Sequence, residues 1–210
     1  MGIPVLILGD SGSGKSTSLR NFAPDEVGIF NVAAKPLPFK KKLPSLATSD
    51  YAEIARVIKG SPKKTFVIDD SQYLMCFENF AKAKETGYTK YTDMALHFYN
   101  LLQLVIRQTP PDVLVYFLHH TETDSNTGKT KAKTLGKMLD SQLTVEGLFA
   151  IVLMCVTDGR KHVFVTQSDG TTSCKSPMDM FPPEMDNDLK AVDTAIRKYY
   201  EIDDNGGVKQ

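Results

Sequence analysis

Tryptophan is absent, and cysteine is scarce: Cys76, Cys155 and Cys174 are the whole set in 210 residues. An odd, widely spaced trio without a C-x-x-C pair argues against a disulfide framework and a zinc site. It points to buried thiols in a reducing compartment. Net charge is also missing, since Lys+Arg and Asp+Glu both number 25. A surface basic all over is excluded, but a local basic groove is not. No apolar run approaches the length of a membrane span, and Met1-Gly2-Ile3 leads straight into an apolar stretch without a leader. A cytoplasmic protein with no membrane partner is therefore expected. Gly2 stands at the start of an expected core strand, which argues against its lipidation. Internal repeats are absent too. Hydrophobic content of 41% and charged content of 24% are ordinary for a globular chain. One α/β domain over 1–202 and a flexible polar tail over 203–210 are expected.

What is present is one dense motif. Gly9-Asp10-Ser11-Gly12-Ser13-Gly14-Lys15-Ser16-Thr17 follows the apolar run Ile3 to Leu8 and opens a helical stretch, Lys15 to Phe22, closed by Pro24. This is the pattern G-x-x-x-x-G-K-[ST] in the strand-loop-helix context that gives it meaning. Glycines let successive backbone N–H groups turn toward phosphate oxygens. A helix N-terminus adds its positive dipole end. Lys15 is placed for β- and γ-phosphates and Ser16 for Mg²⁺. ATP with Mg²⁺ is the expected ligand pair.

Thr65-Phe66-Val67-Ile68-Asp69-Asp70 is a buried strand ending in acid. Downstream of a phosphate loop, this is the pattern that brings a carboxylate beside Mg²⁺. Register favours Asp69 for the metal side and leaves Asp70 to orient or activate water. Asp112 to Leu118 is a further buried strand, followed by His119-His120-Thr121-Glu122. Strand alternation sends one histidine toward the site, and His120 is favoured as the phosphate sensor over His119.

Further elements are expected as a strand over Glu26 to Val32, a basic Pro-rich loop over Lys35 to Pro44, and helices over Asp50 to Ile58, Ser71 to Lys84 and Tyr91 to Gln108. Asp50 is the expected N-cap of the first of these. Met94, Phe98, Leu101, Leu102 and Val105 form an apolar stripe at helical spacing. His97 is placed inside that stripe as a structural residue. Thr123 to Lys137 reads as an extended, lysine-rich polar segment, with Lys129, Lys131 and Lys133 on one side and no intervening acids. It suits a DNA backbone or a nucleotide in a neighbouring subunit. Phe149 to Val156 and Lys161 to Thr166 form an antiparallel hairpin around Gly159, and Asp188 to Ile202 is the last helix. Lys175 is a further phosphate candidate. No aromatic-plus-basic surface for stacking single-stranded bases is apparent.

These motifs, with Leu118-His119-His120-Thr121, Lys133-Thr134-Leu135-Gly136-Lys137 and Cys174-Lys175-Ser176-Pro177, make the chain resemble the small phage-encoded P-loop proteins with a RecA-like ATPase core. Some of these act in single-strand annealing or recombination. The resemblance spans nearly the whole chain. It implies a RecA-like P-loop NTPase: a mostly parallel central sheet flanked by helices, with a C-terminal antiparallel hairpin. It implies ATP and Mg²⁺ as cofactors, work on single-stranded DNA in phage recombination, repair or replication, homo-oligomers, and the host cytoplasm. Basic residues from a neighbouring subunit often complete such sites, and Lys129, Lys131 and Lys133 are the candidates. RecA-like recombinases also carry a catalytic Glu just after the second strand. Here Asn31-Val32-Ala33-Ala34-Lys35 holds no acid. Either Asp70 or Glu122 substitutes, or hydrolysis is slow. The rival readings are a nucleotide-switched adaptor without turnover and a small-molecule P-loop kinase. The second lacks an Arg-rich lid, because Arg20, Arg56, Arg107, Arg160 and Arg197 are scattered.

Overall fold

Aliphatic runs bounded by polar or Gly/Pro residues become the strands of one large sheet. A computed structural model describes residues 1–125, 127–135 and 143–202. The expected tail over 203–210 and the Gly136-Lys137 end of the lysine-rich stretch lie outside the described residues. β1 (Ile3–Leu8), β4 (Thr65–Asp69) and β5 (Leu114–His119) are buried almost throughout. That is the signature of parallel strands covered on both faces. They are joined by β2 (Val27–Asn31), β3 (Ser45–Leu46), β8 (Ile151–Asp158), β9 (Lys161–Val165) and β10 (Glu184–Asp186). The order across the sheet is β10-β9-β8-β1-β5-β4-β2-β3. From β8 to β3 all neighbours are parallel. β9 runs antiparallel to β8, and β10 antiparallel to β9. The expected α/β architecture, mostly parallel with an antiparallel C-terminal hairpin, is the one found.

Alternation along the strands divides the core in two. Leu6, Leu8, Phe66, Ile68 and Phe117 face α1 (Tyr51–Gly60), α2 (Gln72–Ala81) and α3 (Thr89–Gln108). Val5, Ile7, Val67, Tyr116 and Leu118 face a short 3₁₀ helix (Ser16–Asn21) and α4 (Leu189–Tyr199). Asp50 caps α1 by accepting from the Ala52 amide at 2.8 Å. The stripe from Met94 to Val105 is buried as expected. His97 is not part of it: it lies on the exposed side of α3, 2.7 Å from Glu78.

Two expectations change in form. The helix after the loop is six residues of 3₁₀ type, not a longer α-helix. Ser16, Thr17 and Ser18 are poor helix formers, and Ser18 Oγ donates to the Lys15 carbonyl at 2.6 Å, competing with the ladder. The lysine-rich stretch is also more ordered than a loop. β6 (Thr121–Thr123) and β7 (Thr130–Ala132) pair as a second, antiparallel sheet.

Register decides what meets at the carboxyl edge. Leu8 stands opposite His119, and Asn31 opposite Asp69. The segments leaving β1, β2, β4 and β5 therefore converge on one edge, where open α/β sheets hold their ligands.

The amino edge is closed by a buried polar network. Asp193 on α4 accepts from Thr65 Oγ1 and Tyr116 Oη, each at 3.0 Å, and from Arg197 Nε at 2.7 Å. Arg197 also donates to the Asp112 and Lys64 carbonyls at 3.0 and 3.1 Å. Removing one partner of such a pair strands the other charge. Asp193→Ala is expected to cost about 3 kcal/mol in urea unfolding, and Asp193→Asn, which keeps one acceptor oxygen but loses the charge, nearly as much. A clearly smaller loss for Asn would contradict a charge-based role.

Candidate functional site

The chain leaves β1 through a loop that closes on itself. A Cβ on Gly9 would stand 2.5 Å from Ser13 Oγ and 2.7 Å from the Cys155 carbonyl oxygen, so no larger residue fits there. Gly14, at φ +101°, packs against the His162 ring, 2.8 Å from where its Cβ would be. Asp10, Ser11 and Gly12 form the exposed tip, while Ser13 is buried and its hydroxyl has no protein partner. Lys15 folds back across the loop, with Nζ donating to the Gly9 carbonyl at 2.7 Å and to that of Asp10 at 2.9 Å. Burial lowers the Lys15 pKa against the opposing pull of Asp70 and, more weakly, of Asp69 and Asp10. Ser16 and Thr17 begin the 3₁₀ helix, half-buried.

The Ser16 hydroxyl donates to Asp69 Oδ1 at 2.8 Å. The last residue of β4 thereby meets the loop's hydroxyl. Burial pushes the Asp69 carboxyl up to about 6; Ser16's hydrogen bond opposes the rise and the charge of Asp70 adds to it.

Asp70 follows in the left-handed region, at φ +60°. A non-glycine residue there costs on the order of 1 kcal/mol or more and must be held by its surroundings. Its two oxygens are both engaged, Oδ1 by His120 Nε2 at 3.1 Å and Oδ2 by Lys35 Nζ at 2.5 Å. Burial would raise its pKa, but the bonds from His120 and Lys35 outweigh that and hold it near 2. Facing an ionised carboxylate, His120 Nε2 is a donor.

His119 points the other way, as alternation requires. Its ring is fully buried, with Nε2 2.8 Å from the Lys133 carbonyl and Nδ1 2.9 Å from Ser71 Oγ. A carbonyl can only accept, so Nε2 carries the proton and Nδ1 accepts from Ser71. Burial pulls the His119 pKa down to about 4.

The sequence-expected residues do not all gather. Gly9 to Thr17, Asp69, Asp70 and His120 share the carboxyl edge. Glu122 on β6 lies 3.6 Å from Lys131 Nζ, and Asp124 lies 3.9 Å from it. The lysine face is therefore interleaved with acids, contrary to expectation, while Lys129 and Lys133 are exposed. Thr121 Oγ1 donates to Asp10 Oδ1, joining this hairpin to the loop tip. Lys175 bonds through its backbone to Val152.

Three residues at the site escaped sequence reasoning. Lys35 reaches Asp70 from the turn after β2. Asn187 donates to the Gly14 carbonyl at 3.2 Å and takes the Arg20 guanidinium on its own carbonyl at 2.5 Å. His162 covers Gly14 from the β8–β9 hairpin. Each acts across a long sequence separation without a local motif. The acid-free stretch ending in Lys35 was the one available signal.

Among the described residues, no cluster of three His, Cys, Asp or Glu side chains could hold a metal alone. A hydroxyl and one carboxylate instead suit a hard cation that shares its shell with phosphate oxygens and water. No protein-family model matches the chain, and no curated protein matches it significantly.

His119 gives the site a pH signature. Held neutral inside, it contributes stability that is full above pH 6.5 and lost as pH falls toward 4, because the unfolded chain takes the proton first. Asp69 has the opposite sign: its raised pKa makes the folded chain bind the proton first, so stability rises as pH falls from about 6 toward 3.8. Wild type alone hides the two. The stability difference between wild type and His119→Gln should shrink by about 3 kcal/mol between pH 7 and 4. A difference constant with pH in urea unfolding would contradict a buried neutral His119.

Proposed function

We propose that the Gly9–Thr17 loop binds ATP with Mg²⁺ and that the chain is a P-loop ATPase of RecA-like type. In this reading it serves phage DNA recombination, repair or replication on single-stranded DNA, as a homo-oligomer. One observation carries the nucleotide reading. Ser16 and Asp69, 53 residues apart, meet at 2.8 Å, which is the pairing that the loop motif and the acid-ended strand require of each other.

The residues fit the two ligands. Ser13 Oγ is buried without a protein partner, and the Lys15 ammonium lies on carbonyls at the loop's mouth. When bound, Mg²⁺ would neutralise charge developing on the phosphate oxygens. Ser16 and Asp69 would hold it. Lys15 would exchange its two carbonyls for phosphate oxygens, a stronger charge-assisted pairing. His120 would sense the phosphate. Asp70 would orient water and accept its proton, but a carboxylate held near 2 is a weak base. Slow basal turnover follows from that.

The hairpin supports stimulation by DNA. Lys133 donates its amide to the His120 carbonyl at 2.9 Å, and its own carbonyl accepts from His119 Nε2. A phosphate backbone drawn to Lys129, Lys131 and Lys133 would pull on the segment carrying both histidines. Exposed aromatic side chains stand around α2 and α3: Phe80 on α2, Tyr88 just before α3 and Tyr91 on α3, with Lys90 Nζ 5.2 Å from the Tyr91 ring centre. Such side chains suit base stacking. The adaptor reading keeps one supporting observation, the lysine after β2 where RecA-like recombinases carry an acid.

Hydrolysis should be slow alone, rise with single-stranded DNA, and fall to background in Lys15→Ala. Binding of nucleotide without turnover under either condition would leave the switch, and absence of binding would sink both. Separately, DNA affinity should fall steeply with salt, and Lys129→Ala with Lys133→Ala should flatten the log–log slope by about 2. An unchanged slope would remove the hairpin from the DNA contact.

A further inference from the structure

Lys35 is rooted firmly and ends freely. Asn31, opposite Asp69 at the end of β2, clamps the turn at two points: Nδ2 donates to the Lys35 carbonyl at 2.6 Å and Oδ1 accepts its amide at 3.1 Å. Ala34 takes φ +52° to make that turn. The backbone of Lys35 is thus fixed at the carboxyl edge, three strands from β1, whose end carries the phosphate loop. Its side chain is 59% exposed and crosses the mouth to reach Asp70, passing 5.5 Å from the centre of the Tyr73 ring.

The partner it rests on does not depend on it alone. Asp70 keeps its other oxygen on His120, so departure of Lys35 leaves no buried carboxylate unpaired, the usual obstacle to breaking such a pair. The departing ammonium is already largely solvated. Lys15 and Lys35 also both act electrostatically on Asp69. The loop supplies one cation and the end of β2 supplies a second. A transferring γ-phosphoryl group needs positive charge away from the loop as well as on it.

We infer that Lys35 is a γ-phosphate ligand supplied in cis, parked on Asp70 until a triphosphate draws it off. The inference rests on the proposed nucleotide reading and adds discrimination between ATP and ADP. A diphosphate offers nothing at the position Lys35 reaches, so the Asp70 pair persists. A triphosphate competes for the ammonium with a higher local charge.

The test is equilibrium binding of Mg²⁺-ADP and Mg²⁺-ATPγS by calorimetry to wild type, Lys35→Met and Lys35→Arg, with thermal unfolding of each. Met keeps the apolar stem against Tyr73, and Arg keeps the charge. Lys35→Met should weaken ATPγS about tenfold or more and ADP by less than about twofold, and Arg should restore most of the loss. Equal weakening of both nucleotides would overturn the inference, making Lys35 a brace for Asp70. No change in either would overturn it too. Failure of wild type to bind either nucleotide would reject the nucleotide reading itself, and this inference with it.

Discussion

Ser16 Oγ and Asp69 Oδ1 meet at 2.8 Å because β1, β5 and β4 lie side by side and parallel. Were that register shifted by one residue, every side chain would change face, and Ile68 or Asp70 would stand in Asp69's place. The remaining geometry follows from this contact. Asp69 is turned in toward the loop. Asp70, the next residue, takes the left-handed region and is held by Lys35 and His120. A hydrogen bond to a charged group contributes roughly 1.5–3 kcal/mol, yet burial still pushes the Asp69 carboxyl up to about 6. Burial thus disfavours the charged form of the carboxylate. That is the condition in which a hard cation gains most from arriving.

A second constraint ties the β6–β7 hairpin to the same edge. His119 and His120 follow one another at the end of β5 and serve opposite sides. One is buried against Ser71 and the Lys133 carbonyl; the other faces Asp70. The hairpin that carries the exposed lysines therefore bonds to the backbone and side chains that shape the site. Thr121 adds a link to Asp10 at the loop tip. A load on the hairpin has a short, bonded route to Asp70.

Much of this was legible in the chain itself. The buried strands announce themselves as aliphatic runs, and Gly9 to Thr17 and Asp69 carry their own local chemistry. Alternation turns the two histidines apart, His119 toward Ser71 and the Lys133 carbonyl and His120 toward Asp70. The residues missed at the site share one cause, the reach of side chains across the fold. Lys35, Asn187 and His162 come to the site from the turn after β2, from the residue preceding the cap of α4, and from a hairpin, and periodicity encodes none of these meetings. The β6–β7 pairing was hidden by polar composition, since lysine and threonine read as loop until Glu122 and Asp124 supply partners. The 3₁₀ form of the first helix is hidden, because serine hydroxyls that bond back to the chain leave no trace in a helical pattern.

Everything turns on whether the Ser16–Asp69 contact is a cation's place between protein and phosphate. The direct measurement is ATP affinity with and without Mg²⁺ for wild type and Ser16→Ala. Mg²⁺ should tighten binding to wild type, and most of this gain should disappear in Ser16→Ala, while metal-free binding changes little. Binding indifferent to Mg²⁺ in wild type, or no ATP binding at all, would contradict that placement.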